Sequence, residues 1–290
     1  MTTVPLGPER FAGRTLAVAT MHGKEAAIGP ALCTALPLTG FTAIADLDTD
    51  RFGAFSGVVE RGTDPRTAAL HKALHGAERS GADLVIASEG SFVPYPPAPF
   101  ITCDEEWLVL LDARDGTSWT HRHVTLDCMA GGLACTTADE VLAFASRMGF
   151  PEHALVLKPR EHWRSGDTVV KGITDRRALQ GEVDRLLAAH GGLWVESDLR
   201  AMMNPTRMAA IRTTAERFAR ELGTCCPQCG AVHFAISEAL PGLPCGLCGQ
   251  PTRSIRAHLR RCASCGHFAT VPREDGRVSE DPQHCDHCNP

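Results

Sequence analysis

Four cysteine pairs of the form C-x-x-C close the sequence: Cys226/Cys229, Cys245/Cys248, Cys262/Cys265 and Cys285/Cys288. Two such pairs can supply four thiolates to one tetrahedral zinc. Spacers of 15, 13 and 19 residues separate the pairs, and a glycine follows each of the first three. That pattern predicts two closed four-cysteine zinc sites with an architectural role, since a closed site leaves no position for a substrate. Four thiolates also hold iron–sulfur clusters, the competing reading. Sequential pairing, first with second and third with fourth, is favoured because each spacer can hold a short hairpin. Nested and interleaved pairings remain alternatives. Cys225 adjoins Cys226 but lacks the two-residue spacing, and His258, His267, His284 and His287 are not needed as ligands.

A second stretch, GADLVIASEGSF at residues 81–92, ends a short apolar run with Ser88, Glu89 and Gly90. Carboxylates avoid burial unless paired, hydrogen-bonded or metal-bound. A strand end in an α/β sheet is also a usual ligand position. Glu89 is therefore read as a functional carboxylate delivered into a glycine turn. Upstream lie Glu60 and Gly62, then Ala69, Lys72 and Ala73, and at the start Ala19, Thr20, Gly23 and Lys24. After the strand-like run LWV come Glu196, Asp198, Arg200, Asn204 and Arg207, a dense polar group expected to contribute to a cleft. Asp104, Glu105 and Glu106 are expected on a loop face, with metal binding the alternative, and His121 and His123 in an exposed turn, again with metal binding as the alternative. Cys103, Cys128 and Cys135 have no local histidine and are read as core thiols.

The elements that would position these residues alternate strand and helix. Strands are expected at residues 16–20, 41–47, 84–87, 107–112, 154–157 and 193–195. Helices are expected at 64–79, at 137–148 with Thr137 and Glu140 as a capping box, at 176–189 and at 207–222. Residues 94–99, PYPPAP, read as a rigid loop. The fold class is α/β, a layered mixed sheet with flanking helices over residues 1–222. A small C-terminal double zinc-ribbon module follows over residues 223–290.

Taken in order, Ala19-Thr20, Gly23-Lys24, Glu60, Gly62, Ala69, Lys72, Ala73, Ala87 and Glu89 resemble the inosine-triphosphate-pyrophosphatase-like family of nucleotide hydrolases. That family carries A-T-x-N-x-G-K, E-T-G-x-T-F-x-E-N-A-x-x-K-A and A-D-D-S-G in the same order. The segment from Ser197 to Met208 resembles its last segment, where a basic helix contacts the nucleotide. The chain departs from the pattern at Ala68, where the family has Asn, and at Ser88, where it has the first Asp. The whole chain, cysteine module included, is taken as one bacterial family of its own. The resemblance implies hydrolysis of a nucleoside triphosphate or related phosphate compound. Glu60 and Glu89 would hold Mg²⁺, or Glu89 would orient the attacking water. Lys24, Lys72 and Arg207 would contact phosphate, with Asp198, Arg200 and Asn204 beside the substrate. The alternative is a zinc-containing protein that binds a nucleotide or nucleic acid without turning it over.

The totals fit either reading. The chain has 290 residues, 43% apolar and 22% charged, with a formal net charge of −5. No global positive field draws it to nucleic acid. The cysteine-rich tail is formally neutral, although Arg253, Arg256, Arg260 and Arg261 cluster there and leave nucleic acid as a candidate partner. No apolar run approaches the roughly 18 residues that span a membrane, and no signal peptide is read at the start. A cytoplasmic protein is expected, with homodimerisation left open.

Overall fold

The computed structural model describes residues 4–44, 64–164 and 166–290. The chain divides into two compact units. One comprises residues 13–34 and 38–218. The other comprises residues 219–290 with the described residues before 13 and residues 35–37. The compositional change lies at residue 223, so the division falls slightly earlier, inside a helix.

The larger unit holds two sheets. In the first, the order is β2 (Gly40–Ala43), β1 (Thr15–Ala19), β3 (Leu84–Tyr95), β4 (Ala98–Asp112) and β5 (Thr117–Thr125). β1 runs parallel to β2 and β3, and β3, β4 and β5 are antiparallel. The sheet is mixed, with the layered α/β character read from the sequence. Helix α1 (Glu25–Ala35) follows β1. Helix α2 (Pro65–Ser80) precedes β3, capped by the Asp64 carboxylate and ended by Gly81 in the left-handed region. Its Ala73 packs with Ala17, Ala19, Val85 and Ala87 on one face of the sheet.

The second sheet has the order β6 (Gly132–Cys135), β9 (Leu193–Ser197), β7 (Leu155–Lys158) and β8 (Val170–Ile173), all antiparallel. Helices α3 (Ala138–Arg147) and α4 (Arg176–His190) bury Val141, Phe144, Leu179, Val183 and Leu186 against Leu155, Leu157, Leu193 and Val195. The expected capping box of Thr137 and Glu140 is formed. Helix α5 (Pro205–Gly223) closes the unit. No helix among the described residues is long and apolar enough to cross a membrane.

Several expectations need correction. Ser88, Glu89 and Gly90 do not form a turn. They lie inside the continuous twelve-residue strand β3. Residues 84–87 alone carry the apolar signal; the rest of the strand is held by its ladder with β4, which sequence periodicity does not reveal. The proline-rich stretch is shorter as a loop than expected. Pro94 and Pro99 lie in strands, leaving Pro96 and Pro97 as a tight hairpin turn. Asp104, Glu105 and Glu106 are strand, not loop, and His121 and His123 lie in β5. The strand expected at 41–47 is β2 as far as Ala43; its last three residues lie outside the described residues.

The smaller unit contains a meander of β10 (Ala235–Pro241), β11 (Ile255–Arg261) and β12 (Phe268–Pro272). Antiparallel pairing sets Ala235 opposite Arg261 and Leu259 opposite Thr270.

Candidate functional site

The cysteine pairs gather at the two ends of that meander. Cys226, Cys229, Cys262 and Cys265 form one group, and Cys245, Cys248, Cys285 and Cys288 the other. The pairing is interleaved, so the sequential pairing favoured from spacing is corrected. The cause is the sheet. The first pair precedes β10 and the third follows β11, and antiparallel β10 and β11 bring those ends together. The second pair sits at the far end of the β10–β11 hairpin. β12 then carries the chain back to that end, where the fourth pair joins it.

The thiols fit a tetrahedral thiophilic ion. Sγ–Sγ separations are 3.7 Å for Cys226–Cys265, 3.6 Å for Cys229–Cys262, 3.8 Å for Cys245–Cys288 and 3.7 Å for Cys248–Cys285. A Zn–S bond of about 2.3 Å puts tetrahedral sulfurs about 3.8 Å apart. Disulfides need about 2.05 Å. Each knuckle closes by a backbone bond from the residue after the second cysteine to the first cysteine's carbonyl: Gly230, Gly249, Gly266 and Asn289 donate to Cys226, Cys245, Cys262 and Cys285. The three glycines have φ of 73–75°, the left-handed region in which a side chain is strained. Backbone N–H groups of Cys248 and Leu247 pull the Cys245 thiol down to about 7. The two groups are consistent with two structural zinc sites. No histidine belongs to either group. Among the arginines nearby, Arg253 pairs with Asp286 and Arg260 donates to the Phe234 carbonyl.

In the larger unit, the register sorts the polar residues by face. Opposite residues of an antiparallel pair share a face, and side chains alternate along each strand. Glu89 lies opposite Trp107, on the face that α2 covers. There it forms a buried ion pair with Lys72. Lys72 is thus not a surface residue, and Glu89 sits beyond the last β1–β3 pair, Ala19–Ala87, where β3 runs on with β4 alone.

The other face carries Ser88, Gly90 and Phe92 from β3, with Asp104 and Glu106 from β4. Gly23, at φ 69°, turns the chain after β1. Lys24 follows, and its buried ammonium donates to Ser88 Oγ at 3.1 Å. Arg207, fully buried on α5, donates from Nε to Glu106 Oε1 at 2.8 Å and from an Nη to the Leu199 carbonyl at 2.5 Å. Its guanidinium lies 5.7 Å from the Phe92 ring centroid. Asn204 accepts from the Arg207 backbone N–H at 3.0 Å and donates to the Met129 carbonyl. Both oxygens of Asp104 and Oε2 of Glu106 are buried with no hydrogen-bond partner among the described residues. Burial, and then the neighbouring Glu106 carboxylate, push Asp104 up to about 7. Burial, and then the Arg207 charge, pull Lys24 down to about 8.

Gly90 explains itself in this setting. Its backbone is not in the left-handed region. A Cβ there would strike the Arg207 guanidinium and the Glu106 carboxylate. The glycine makes room for a buried ion pair, not for a turn. Gly90→Ala is expected to cost about 1–3 kcal/mol by overpacking, read as a lower urea midpoint with unchanged m-value. Wild-type stability in that variant would mean that the pair moves aside freely.

A cleft of about 520 Å³ lies within the same unit, lined by Met21, His22, Lys158, Trp194, Asp198 and Arg200 among others. Met21 and Met202 expose their side chains there. Asp198 pairs with Arg200 at 2.6 Å, and Lys158 with Glu196 at 2.8 Å. Of the polar group singled out after LWV, Glu196, Asp198 and Arg200 line this cleft. Lys24 and Arg207 belong to the buried cluster, with Lys72 and Glu89 on the reverse face of the sheet. Glu60 lies outside the described residues. Asp104 and Glu106 were misplaced by sequence reading. Their signal was present as an acid–acid–acid run entering WLVLLD, whose alternate members share a strand face. Burial pushes the thiols of Cys103, Cys128 and Cys135 up, against a role as nucleophiles.

The sequence model of a family described as a domain of unknown function (DUF6671) matches residues 72–290. No curated protein and no solved structure matches the chain.

Proposed function

The chain belongs to the DUF6671 family, and from its own residues we propose that the larger unit is a Mg²⁺-dependent hydrolase of a nucleotide or related phosphate compound. The smaller unit serves as a zinc-stabilised structural module. The observation that carries this reading is the convergence of Lys24 and Arg207 with Asp104 and Glu106 at the end of β1, with Lys72 and Glu89 behind them. Polyphosphate hydrolysis needs cationic groups around developing phosphate charge and a carboxylate to orient water. Few functions other than charge handling repay the burial of so many ionisable groups.

In this reading the cleft takes the ligand. The Trp194 ring and the Met21 and Met202 thioethers offer apolar contact to a planar base. Lys171, exposed and lining the same cleft, offers positive charge to phosphate. Glu89 is the carboxylate assigned to orient the attacking water; in the structure it is held by Lys72 and is not among the residues that line the cleft, so this role requires the pair to open toward the ligand. Lys24 supports the strand end through Ser88. Arg207 positions the chain at Leu199, a cleft residue, through its carbonyl. Carboxylate oxygens are the donors that Mg²⁺ takes, and when bound it neutralises phosphate oxygens. The resemblance to the pyrophosphatase-like family in the order of Lys24, Lys72 and Glu89 supports the same assignment.

The experiment is product analysis. Purified protein with Mg²⁺ and a panel of standard and deaminated nucleoside triphosphates should release pyrophosphate. Glu89→Gln should lower the rate by about 10²–10⁴-fold while far-UV circular dichroism stays unchanged. Failure of every nucleotide to yield pyrophosphate, or full activity in Glu89→Gln, would sink the reading. One observation favours binding without turnover: Glu89 and Arg207 are both committed to buried ion pairs. Nucleotide affinity without product release would select that alternative.

A further inference from the structure

We infer that Asp104 and Glu106 form a binding site for one hard divalent cation on the face of β4. Neither Glu60 nor Glu89, the carboxylates singled out in the sequence, belongs to it.

The two side chains are alternate residues of one strand and share the face that holds Phe92, Gly90 and Arg207. Each is about 1% exposed. Three of their four carboxylate oxygens have no hydrogen-bond partner among the described residues. Only Glu106 Oε1 is engaged, by Arg207 Nε at 2.8 Å. Buried polar atoms in folded proteins are nearly always partnered, and an unpartnered ionised carboxylate is costly. Three orphaned acceptors on two adjacent acids therefore call for an occupant that brings positive charge.

The charges of Lys24 and Arg207 reach both acids, but neither side chain hydrogen-bonds the three orphaned oxygens. Lys24 donates to Ser88 Oγ. Arg207 spans Glu106 Oε1 and the Leu199 carbonyl. The unpartnered donor set is all oxygen, which suits Mg²⁺, Mn²⁺ or Ca²⁺ and disfavours a thiophilic ion such as zinc. Mg²⁺ commonly binds through one or two carboxylates and keeps several waters. Two carboxylates of one strand meet that requirement without a third protein ligand. An ordered water could satisfy two acceptors but would not relieve the repulsion between the two acids, which takes either a proton on Asp104 or a cation. A divalent ion removes both problems. The inference rests on the proposed hydrolase only for the use of the cation, not for its binding.

The test is direct. Zinc-replete full-length protein is titrated with MnCl₂, and free Mn²⁺ is followed by its electron paramagnetic resonance signal. The wild type should take up one Mn²⁺ per chain, and excess Mg²⁺ should displace it. Asp104→Asn and Glu106→Gln keep the shape of each side chain and should each weaken binding by roughly tenfold or more. Glu105→Gln removes the intervening carboxylate, on the opposite face, and should bind Mn²⁺ like the wild type. No uptake by the wild type overturns the inference without recourse to any variant. So does uptake that survives in both folded variants, or that is lost equally in Glu105→Gln. Turnover is not read at any point. Mn²⁺ binding at this site with no pyrophosphate release from any nucleotide would refute the hydrolase and leave the cation site standing.

Discussion

Replacing the first and third cysteine pairs by serine should leave one zinc per chain, while replacing the first and second pairs should leave none. Zinc per chain, measured after dialysis against a weak chelator, separates the two variants. Sequential pairing would exchange the results. The expectation follows from the interleaved groups, Cys226, Cys229, Cys262 and Cys265 at one end of the meander and Cys245, Cys248, Cys285 and Cys288 at the other. Losing pairs one and three empties one site and spares the other. Losing pairs one and two strips two ligands from each site, and two thiolates do not hold a structural zinc. The effect should be large, because a structural zinc contributes about 10–16 kcal/mol of apparent binding energy to a unit this small. The apolar cluster at one cysteine group is small: Cys226 and Cys262 pack with Ala231 and Phe234, and Val232, Leu243 and Ala257 are other buried apolar side chains of the module. Backbone ladders remain, yet a three-stranded meander with so small a core depends on its cross-links. The variant that loses both metals should therefore also lose amide-exchange protection in β10, β11 and β12.

The members of the two cysteine groups were legible as residues and illegible as a pairing. C-x-x-C spacing is a local signal, and local geometry sets the knuckle. Which knuckles meet depends on how far the chain travels between them, and that is fixed by strands whose sequences alternate weakly. β10, AISEALP, has only partly buried and exposed residues, so periodicity could not mark it. The same distinction runs through the larger unit. The helix capped by Thr137 with Glu140 was readable because capping is written in adjacent residues, and the helix at 64–79 because its apolar residues recur at helical spacing. The long arm of β3 and β4 was not. Its distal half carries Ser88, Glu89, Gly90, Pro94, Asp104 and Glu106, residues that strand propensity disfavours or ignores. Tertiary pairing overrides propensity there, which is common where a site is built. Glu89 is a buried, paired carboxylate, but its face was not knowable until the register was set. Once Glu89 is placed opposite Trp107, its partner is Lys72. The orphaned acids then turn out to be two residues that looked like an ordinary acidic loop.

Arg207→Ala should be the most damaging single substitution in the larger unit, lowering stability by about 3–5 kcal/mol. At roughly 2–4 °C per kcal/mol for a unit of this size, the melting temperature should fall by about 6–20 °C. Arg207 is fully buried, and its Glu106 partner is nearly so. In protein held free of divalent cation, removing the guanidinium leaves Glu106 as an uncompensated buried charge beside Asp104, frees the Leu199 carbonyl, and opens a void over Phe92. The favourable energy of the intact pair is much smaller than this loss, since burying both charges already cost most of what their attraction returns. That asymmetry gives a sharper test. Arg207→Met combined with Glu106→Gln should be less destabilised than Arg207→Met alone, because the double variant no longer buries a lone carboxylate at position 106. A double variant as unstable as the sum of its parts would mean that the two side chains act independently. Their contact at 2.8 Å would then be incidental to what joins α5 to the sheet. Coupling of the expected sign would instead make the pair the tie that fixes the Leu199 carbonyl, and with it one wall of the cleft, to the strand carrying Asp104 and Glu106.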